Sequence, residues 1–224
     1  MSKKEQSGAA KAYLTLYNSA QTLSWTLILV KTLLYFQEKK CYKGAFENVE
    51  WELGIAQTAG FLEVVHCLVG LVRSNPFLTF IQILSRVVVY YGVLVIVPES
   101  RVQIGLPMLL VAWCIAEITR YLFYVLALYD ACPPILIWCR YSFFLILYPT
   151  GVSGELLSMY SALPLIRKRS LLTVSLPNDF NWSFDYHWFM IFVMLTYIPG
   201  FPQMYGHMLK QRSKVLNPPK VKSQ

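Results

Sequence analysis

The sequence predicts an all-α integral membrane protein, a bundle of six transmembrane helices with both termini in the cytosol. Of its 224 residues, 56% are hydrophobic and only 14% are charged, and the mean hydropathy of +0.45 lies outside the range usual for soluble domains. No stretch between the apolar runs is long enough to bury a core of its own, so we expect any active site to lie between helices. The six runs cover residues 13–36, 51–72, 76–97, 104–128, 134–166 and 187–205.

Taken in order, each run is interpreted as one span of the roughly 20 residues that cross a bilayer. The first is too long for a signal-peptide core and has no clean cleavage site after it. Runs two, three, four and six each have the length of a single span. The fifth run, 134–166, would be about 50 Å long as a helix and exceeds the apolar core of about 30 Å, so its boundaries stay open.

The orientation rests on the C-terminal tail, because basic residues are nearly balanced between the two sides. Lys220 and Lys222 resemble the dilysine retrieval signal of endoplasmic reticulum membrane proteins, which acts from the cytosol. A basic tail lying on anionic lipid is the alternative, and it also requires a cytosolic tail. We therefore predict a multi-pass protein of the endoplasmic reticulum membrane, with a cytosolic N-terminal tail (1–11), a six-helix domain (12–208) and a cytosolic basic tail (209–224).

Charge and cysteine content exclude several other classes of protein. The net charge of +8 comes from basic residues at span ends rather than from a soluble basic patch, so we expect a lipid bilayer as partner and no nucleic acid. The five cysteines are an odd number without CxxC spacing, which argues against a disulfide framework and a zinc site. We expect neither a metal nor a cofactor.

Six ionisable side chains from four runs fall in one layer near the predicted cytosolic side, and such residues should face the bundle interior. Glu117 and Arg120 stand three residues apart and can neutralise each other, as Glu63 and His66 could. Arg86 and Arg140 have no acidic residue three or four positions away, so they are predicted to be free to bind an anion such as a phosphate. The layer consists of Glu63, His66, Arg86, Glu117, Arg120 and Arg140.

The segment 148–155, Tyr-Pro-Thr-Gly-Val-Ser-Gly-Glu, carries the strongest functional signal. Tyr148 and Glu155 share a helix face but lie roughly 10 Å apart along the axis of a regular helix. We expect the helix to depart from regularity at Pro149, Gly151 or Gly154, so that phenol and carboxyl converge as a general acid/base pair. The alternative gives each residue a structural role: an interhelical hydrogen bond, a protonated carboxyl, or a packing notch.

These residues resemble the very-long-chain (3R)-3-hydroxyacyl-CoA dehydratases of the endoplasmic reticulum, the protein-tyrosine-phosphatase-like A family. The resemblance covers most of the chain and combines several spaced motifs. They are Glu63-x-x-His66-x-x-x-Gly70-Leu-Val, Gln82-x-x-Ser85-Arg86, Trp113-x-x-x-Glu117-x-x-Arg120-Tyr121, Trp138-Cys-Arg140-Tyr141 and the segment 148–155.

The resemblance implies a lyase that dehydrates long-chain 3-hydroxyacyl-CoA to trans-2-enoyl-CoA in the third step of fatty-acid elongation, beside other elongation enzymes. It implies Tyr148 and Glu155 as the catalytic pair, with Arg86, Arg140 and Gly151 binding substrate or supporting activity. We favour Glu155 as the base for the α-proton and Tyr148 as the group that protonates or orients the departing hydroxyl. The reverse assignment stays open.

Two alternatives come from other classes. His66, Cys67 and Arg73 formally match the HC-x5-R pattern of tyrosine phosphatases, but that chemistry needs a loop of free backbone N–H groups, and the intervening residues continue an apolar run. A non-enzymatic scaffold or transporter is the second alternative. Transporters commonly carry internal repeats, and none is visible in this sequence.

Overall fold

The computed structural model describes residues 7–177, 179 and 181–217, so the lysines Lys3, Lys4, Lys220 and Lys222 lie outside the described residues. Within these ranges the chain forms eight α-helices, one π-helical segment and one short 3-10 helix. An isolated antiparallel bridge joins Val174 and Phe184. The helices are α1 (Gly8–Lys39), α2 (Glu50–Ala59), α3 (Phe61–Leu68), α4 (Pro76–Val87, continued by the π-helix Val88–Val95), the 3-10 helix Pro98–Val102, α5 (Gly105–Ala127), α6 (Pro134–Ser142), α7 (Phe144–Arg169) and α8 (Tyr186–Leu216).

The all-helical class predicted from the sequence is confirmed over the described residues, and each apolar run falls on a helix or a helix pair. The second run is divided at Gly60 into α2 and α3, and the fifth is divided at Phe143 into α6 and α7. Three helical segments of the described chain are long and apolar enough to cross a membrane: Pro76–Val95, Gly105–Ala127 and Pro134–Arg169.

Side-chain caps define where three of the helices begin. Each capping oxygen accepts a hydrogen bond from a backbone N–H of the first turn, which has no partner inside the helix. Pro76 occupies the first turn of α4, where its missing N–H costs nothing. The caps are Ser7 for α1 (3.2 Å to Ala10 N), Asn75 for α4 (3.0 Å to Phe77 N) and Asp185 for α8 (2.9 Å to His187 N).

Helix α5 is the centre of the bundle, with α1 against one side and α7 against the other. Leu106, Leu109 and Leu110 of α5 and Met159 and Ala162 of α7 are fully buried in this core. Helix α8 packs along α7 and also contacts α6. This order places α7 between the closed core and the outer helix α8.

The distribution of polarity is the inverse of that in a soluble protein. Large apolar side chains project outward, with Trp51 82%, Ile146 74% and Ile198 70% exposed, while carboxylates such as Glu117 and Glu155 are buried. An apolar surface this extensive is expected where lipid replaces water. Together with the three long apolar segments, it identifies a membrane protein.

Candidate active site

Glu155 of α7 is a buried carboxylate that two other helices hold by hydrogen bonds. The indole Nε1 of Trp113 on α5 donates to Oε1 at 2.8 Å, and the hydroxyl of Tyr197 on α8 donates to Oε2 at 2.7 Å. Glu155 is only 7% exposed. Because each oxygen has its own donor, the carboxylate can be buried without leaving an acceptor unsatisfied.

A backbone-to-backbone contact between α5 and α7 positions the carboxylate against the indole. A Cβ atom added at Gly154 would lie 2.7 Å from the carbonyl oxygen of Gly105 and 2.7 Å from the backbone nitrogen of Leu109. Only glycine allows the helices to approach this closely. The next residue of α7 is Glu155, so this contact sets its distance from Trp113.

Gly151 lies one turn before this contact and has more room around it. A Cβ atom added there would lie 3.5 Å from the Cβ of Ala112, which is an ordinary van der Waals distance. Gly151 is buried on α7. Of the two glycines that could serve as packing notches, Gly154 is therefore the one at which α5 and α7 make their close contact.

The ring of Tyr148 stacks on two aromatic rings of α8, with centroid distances of 5.1 Å to Phe201 and 6.3 Å to Tyr205. Helix α7 includes both Tyr148 and Glu155 without interruption, so seven residues of regular helix separate them by roughly 10 Å along the axis. The phenol that hydrogen-bonds the carboxylate is that of Tyr197. The structure thus brings Tyr148 and Glu155 onto one helix beside α8, but it does not join them.

The expectation of an irregular helix at Pro149, Gly151 or Gly154 is wrong as to its position. The helix continues through all three residues, and the boundary between α6 and α7 lies earlier, at Phe143, whose backbone keeps right-handed helical angles (φ −60°, ψ −30°). A proline removes its own backbone hydrogen bond and its ring crowds the carbonyl four residues earlier, and packing against neighbouring helices lets a membrane helix tolerate both.

An open apolar groove of about 320 Å³ runs between α7 and α8 beside the carboxylate. The hydroxyl-bearing Tyr197 forms part of its wall, as does Phe201, which stacks on Tyr148. The volume is at the lower end of that of known ligand clefts. Its lining residues are Pro149, Val152, Ser153, Leu156, Met194, Tyr197, Ile198, Phe201 and Pro202.

Four of the six charged residues of the predicted layer form a compact ion-pair cluster that joins α3, α4 and α5. Arg86 Nη1 lies 2.6 Å from Glu117 Oε1, and Arg120 pairs with both Glu117 and Glu63. The hydroxyl of Tyr121 also donates to Glu63. These five side chains are at most partly exposed and satisfy one another, which is the usual arrangement of charge inside a membrane protein.

Two predictions for this layer need correction. Arg86 is not free for an anion, because Glu117, thirty-one residues away in sequence, neutralises it. Glu63 does not pair with His66: its carboxylate binds Arg120, whereas His66 Nε2 lies 2.9 Å from the hydroxyl of Tyr13. The predicted pair of Glu117 and Arg120 is confirmed.

Arg140 on α6 differs from the other membrane arginines. Its guanidinium lies 5.9 Å from the ring centroid of Tyr124, and no carboxylate of the described chain forms an ion pair with it. Two residues later, the Oγ of Ser142 accepts a hydrogen bond of 3.2 Å from Arg212 of α8. Of the two arginines predicted to be available, only Arg140 retains that property.

Comparison with known proteins identifies the family of this chain. Residues 57–218 match the model of the family described as protein tyrosine phosphatase-like protein, PTPLA. The chain belongs to this family. It is 43% identical to the very-long-chain (3R)-3-hydroxyacyl-CoA dehydratase 2 of Mus musculus over 96% of this chain and 85% of the relative. It is 44% identical to the dehydratase hpo-8 of Caenorhabditis elegans (93% and 96%) and 41% identical to PASTICCINO 2 of Arabidopsis thaliana (92% and 94%). No solved structure matches it significantly.

The HC-x5-R pattern at His66, Cys67 and Arg73 does not form a phosphatase site in this chain. Cys67 lies near the end of α3, and its Sγ is 3.8 Å from the hydroxyl of Thr79. The four backbone N–H groups of residues 69–72 all donate to carbonyls between residues 65 and 67. These four N–H groups are therefore not available to bind a phosphate next to the thiol. The chain does turn here, since α3 ends at Leu68, so the expectation that the apolar run continues as helix is wrong at this point.

Sequence reasoning missed both hydrogen-bond donors of Glu155. Trp113 was part of a recognised motif but had no assigned role, and Tyr197 was one aromatic residue of an apolar run. Neither has a fixed spacing from Glu155, because each contact depends on how α5 and α8 are rotated against α7. The only available signal was that a buried carboxylate requires donors.

Proposed function

We propose that this chain is a hydro-lyase that dehydrates (3R)-3-hydroxyacyl-CoA to trans-2-enoyl-CoA in the third step of long- and very-long-chain fatty-acid elongation. Membership of the family and the names of its curated relatives support this activity. The observation that carries it in the structure is the buried Glu155, held by two donors beside an apolar groove. A fixed base next to an acyl-sized apolar surface suits the elimination.

The elimination requires one group that removes the α-proton and another that assists departure of the β-hydroxyl. Glu155 accepts the α-proton, the Cα electrons form the new double bond, and the C–O bond breaks as the hydroxyl leaves with a second proton as water. Tyr148 supplies or orients that proton. The α-proton and the β-hydroxyl are on adjacent carbons, so these carbons lie on the face of α7 between Tyr148 and Glu155, and the two side chains reach toward them from either end.

The remaining site residues support the reaction in different ways. Arg140 binds the polar end of the thioester substrate, since its guanidinium is not paired with a carboxylate in the described chain and coenzyme A is polyanionic. Arg86 acts indirectly, by fixing α4 to α5 through Glu117. Gly151 has no side chain, so the face of α7 beside Tyr148 carries no bulk at this position.

The test is dehydration of a long-chain 3-hydroxyacyl-CoA by membranes containing the wild-type protein, Tyr148→Phe or Glu155→Gln. Both substitutions retain the shape of the side chain and remove its acid/base function, so each should reduce turnover by at least about a hundredfold. Cys67→Ser is the matched control and should retain activity. Full activity of both catalytic variants would overturn the assignment.

The proposed setting is the endoplasmic reticulum membrane, with six spans, both termini in the cytosol and other elongation enzymes as partners. The six-helix domain at 12–208 and tails at 1–11 and 209–224 follow from this topology. Reporter fusions at each terminus should both be accessible to a protease in sealed microsomes. Protection of either one contradicts the proposed topology.

A further inference from the structure

The two oxygens of the Glu155 carboxylate are in different surroundings. Oε1 accepts from Trp113, an indole of the central helix that is 5% exposed and belongs to the hydrophobic core. Oε2 accepts from Tyr197, which forms part of the wall of the α7–α8 groove. Oε1 is therefore held by a residue of the closed core, and Oε2 is held by a residue of the groove wall.

The two donors also differ in chemistry. An indole N–H can only donate, so its bond to Oε1 persists whether or not the other oxygen carries a proton. A phenol can donate to a charged carboxylate and accept from a protonated one. Oε2 can therefore take up a proton without losing its partner. A proton on Oε1 would instead place an O–H against the indole N–H, and two donors do not bond each other.

We propose that Trp113 and Tyr197 are positioning residues that hold Oε2 of Glu155 toward the α7–α8 groove, where the reacting acyl carbons of the substrate lie. Trp113 fixes the orientation of the carboxylate from the core, and Tyr197 stabilises its charged form at the groove. This inference rests on the proposed dehydratase function and assigns the reacting oxygen within it.

The groove fits the acyl end of the substrate. Its wall is almost entirely apolar, it is open along its length, and its volume of about 320 Å³ accommodates part of a long chain while the rest lies against lipid. Tyr197 is the residue of its wall that bonds the buried carboxylate. Substrate carbons in this groove come next to Oε2 and remain screened from Oε1.

The first experiment compares Tyr197→Phe and Trp113→Phe with the wild type and with Tyr160→Phe, which removes a hydroxyl from an exposed tyrosine of the same α7 helix. The loss of a hydrogen bond to a charged group corresponds to a decrease in rate of about ten- to a hundredfold. We therefore expect kcat to fall by that factor in both test variants, with KM changed less than threefold. Tyr160→Phe should match the wild type.

The pH dependence separates positioning from a merely structural role. Without one donor the carboxylate binds its proton more strongly, so the acidic limb of kcat/KM should move to higher pH by about one unit in Tyr197→Phe. A wild-type kcat, or a reduced kcat with the acidic limb unmoved, overturns the proposal. Thermal unfolding of each purified variant shows whether the fold is intact. If Glu155→Gln is inactive while Tyr197→Phe is unaffected, this inference fails and the proposed function stands. If Glu155→Gln is active, Glu155 is not the base, and the proposed function fails together with this inference.

The second experiment places bulk in the groove. Val152→Trp adds an indole to the groove wall, whereas Ile146→Trp adds one to an exposed position of the same helix. With a long-chain 3-hydroxyacyl-CoA we expect KM to rise about tenfold or more for Val152→Trp only. Equal KM values for the two variants would place the acyl chain elsewhere and overturn this part of the proposal.

Discussion

Replacing Gly154 with alanine should separate α5 from α7 and weaken the hold on Glu155. The new Cβ would lie 2.7 Å from Gly105 O and 2.7 Å from Leu109 N, both backbone atoms that cannot rotate away. Ordinary contact begins near 3.4 Å, so the helices must move apart by roughly 0.7 Å at this point. Overpacking of this kind costs about 1–3 kcal/mol, against which the higher helix propensity of alanine recovers at most about 1 kcal/mol.

The effect on activity should exceed the effect on stability. Trp113 Nε1 lies 2.8 Å from Glu155 Oε1, and a displacement of roughly 0.7 Å carries this contact to the limit of hydrogen bonding. Loss of a bond to a charged group corresponds to about 1.5–3 kcal/mol, or about ten- to a hundredfold in rate. Gly154→Ala should therefore show a modest decrease in the free energy of unfolding and a large decrease in kcat.

The assay pairs dehydration of a long-chain 3-hydroxyacyl-CoA with thermal unfolding of the purified protein in detergent. Gly200→Ala is the matched control, because a Cβ atom at Gly200 of α8 would meet nothing within 4 Å. It should keep both activity and stability. If Gly154→Ala behaves like Gly200→Ala in both measurements, the argument from the close helix contact is refuted.

Three further variants test other parts of the site. Gly151→Ala should keep the free energy of unfolding, measured by thermal unfolding, at the wild-type value or raise it by up to about 1 kcal/mol, because its methyl would meet Ala112 at an ordinary distance and alanine has the higher helix propensity. If activity still falls, Gly151 supports the substrate rather than the packing. Arg86→Ala should lower the free energy of unfolding by about 1.5–3 kcal/mol, as measured by thermal unfolding, because the buried Glu117 loses one of its two arginine partners and keeps Arg120. Arg140→Ala should raise KM for the acyl-CoA at least about fivefold in a steady-state assay, with unfolding unchanged, and an unaltered KM and turnover would remove Arg140 from the binding site.

The sequence was sufficient for contacts that depend on periodicity along one helix. The pair of Glu117 and Arg120 followed from a spacing of three residues, and the apolar runs identified the helices. It was insufficient for contacts between helices, such as that of Arg86 with Glu117, because these depend on the crossing and rotation of two segments. The division of the fifth run at Phe143 was also hidden, since no glycine or proline marks it.

The same distinction explains why Glu155 was recognised and its partners were not. A carboxylate in an apolar run is conspicuous from composition, and the requirement for donors follows from its burial. The identity of the donors, however, depends on the approach of α5 at Gly154 and of α8 along the groove. Aromatic residues are common in membrane helices, so nothing distinguishes Trp113 or Tyr197 before the helices are placed.

The ion-pair cluster and the carboxylate are linked through one face of α5. Trp113 and Glu117 stand four residues apart and therefore project from the same face, one turn from each other. Arg86 of α4 pairs with Glu117, so α4 is tied to α5 one turn away from the indole that donates to Glu155. We therefore expect Arg86→Ala to lower kcat in the dehydration assay without raising KM, because α5 is held less firmly and the indole of Trp113 binds Oε1 of Glu155 less well.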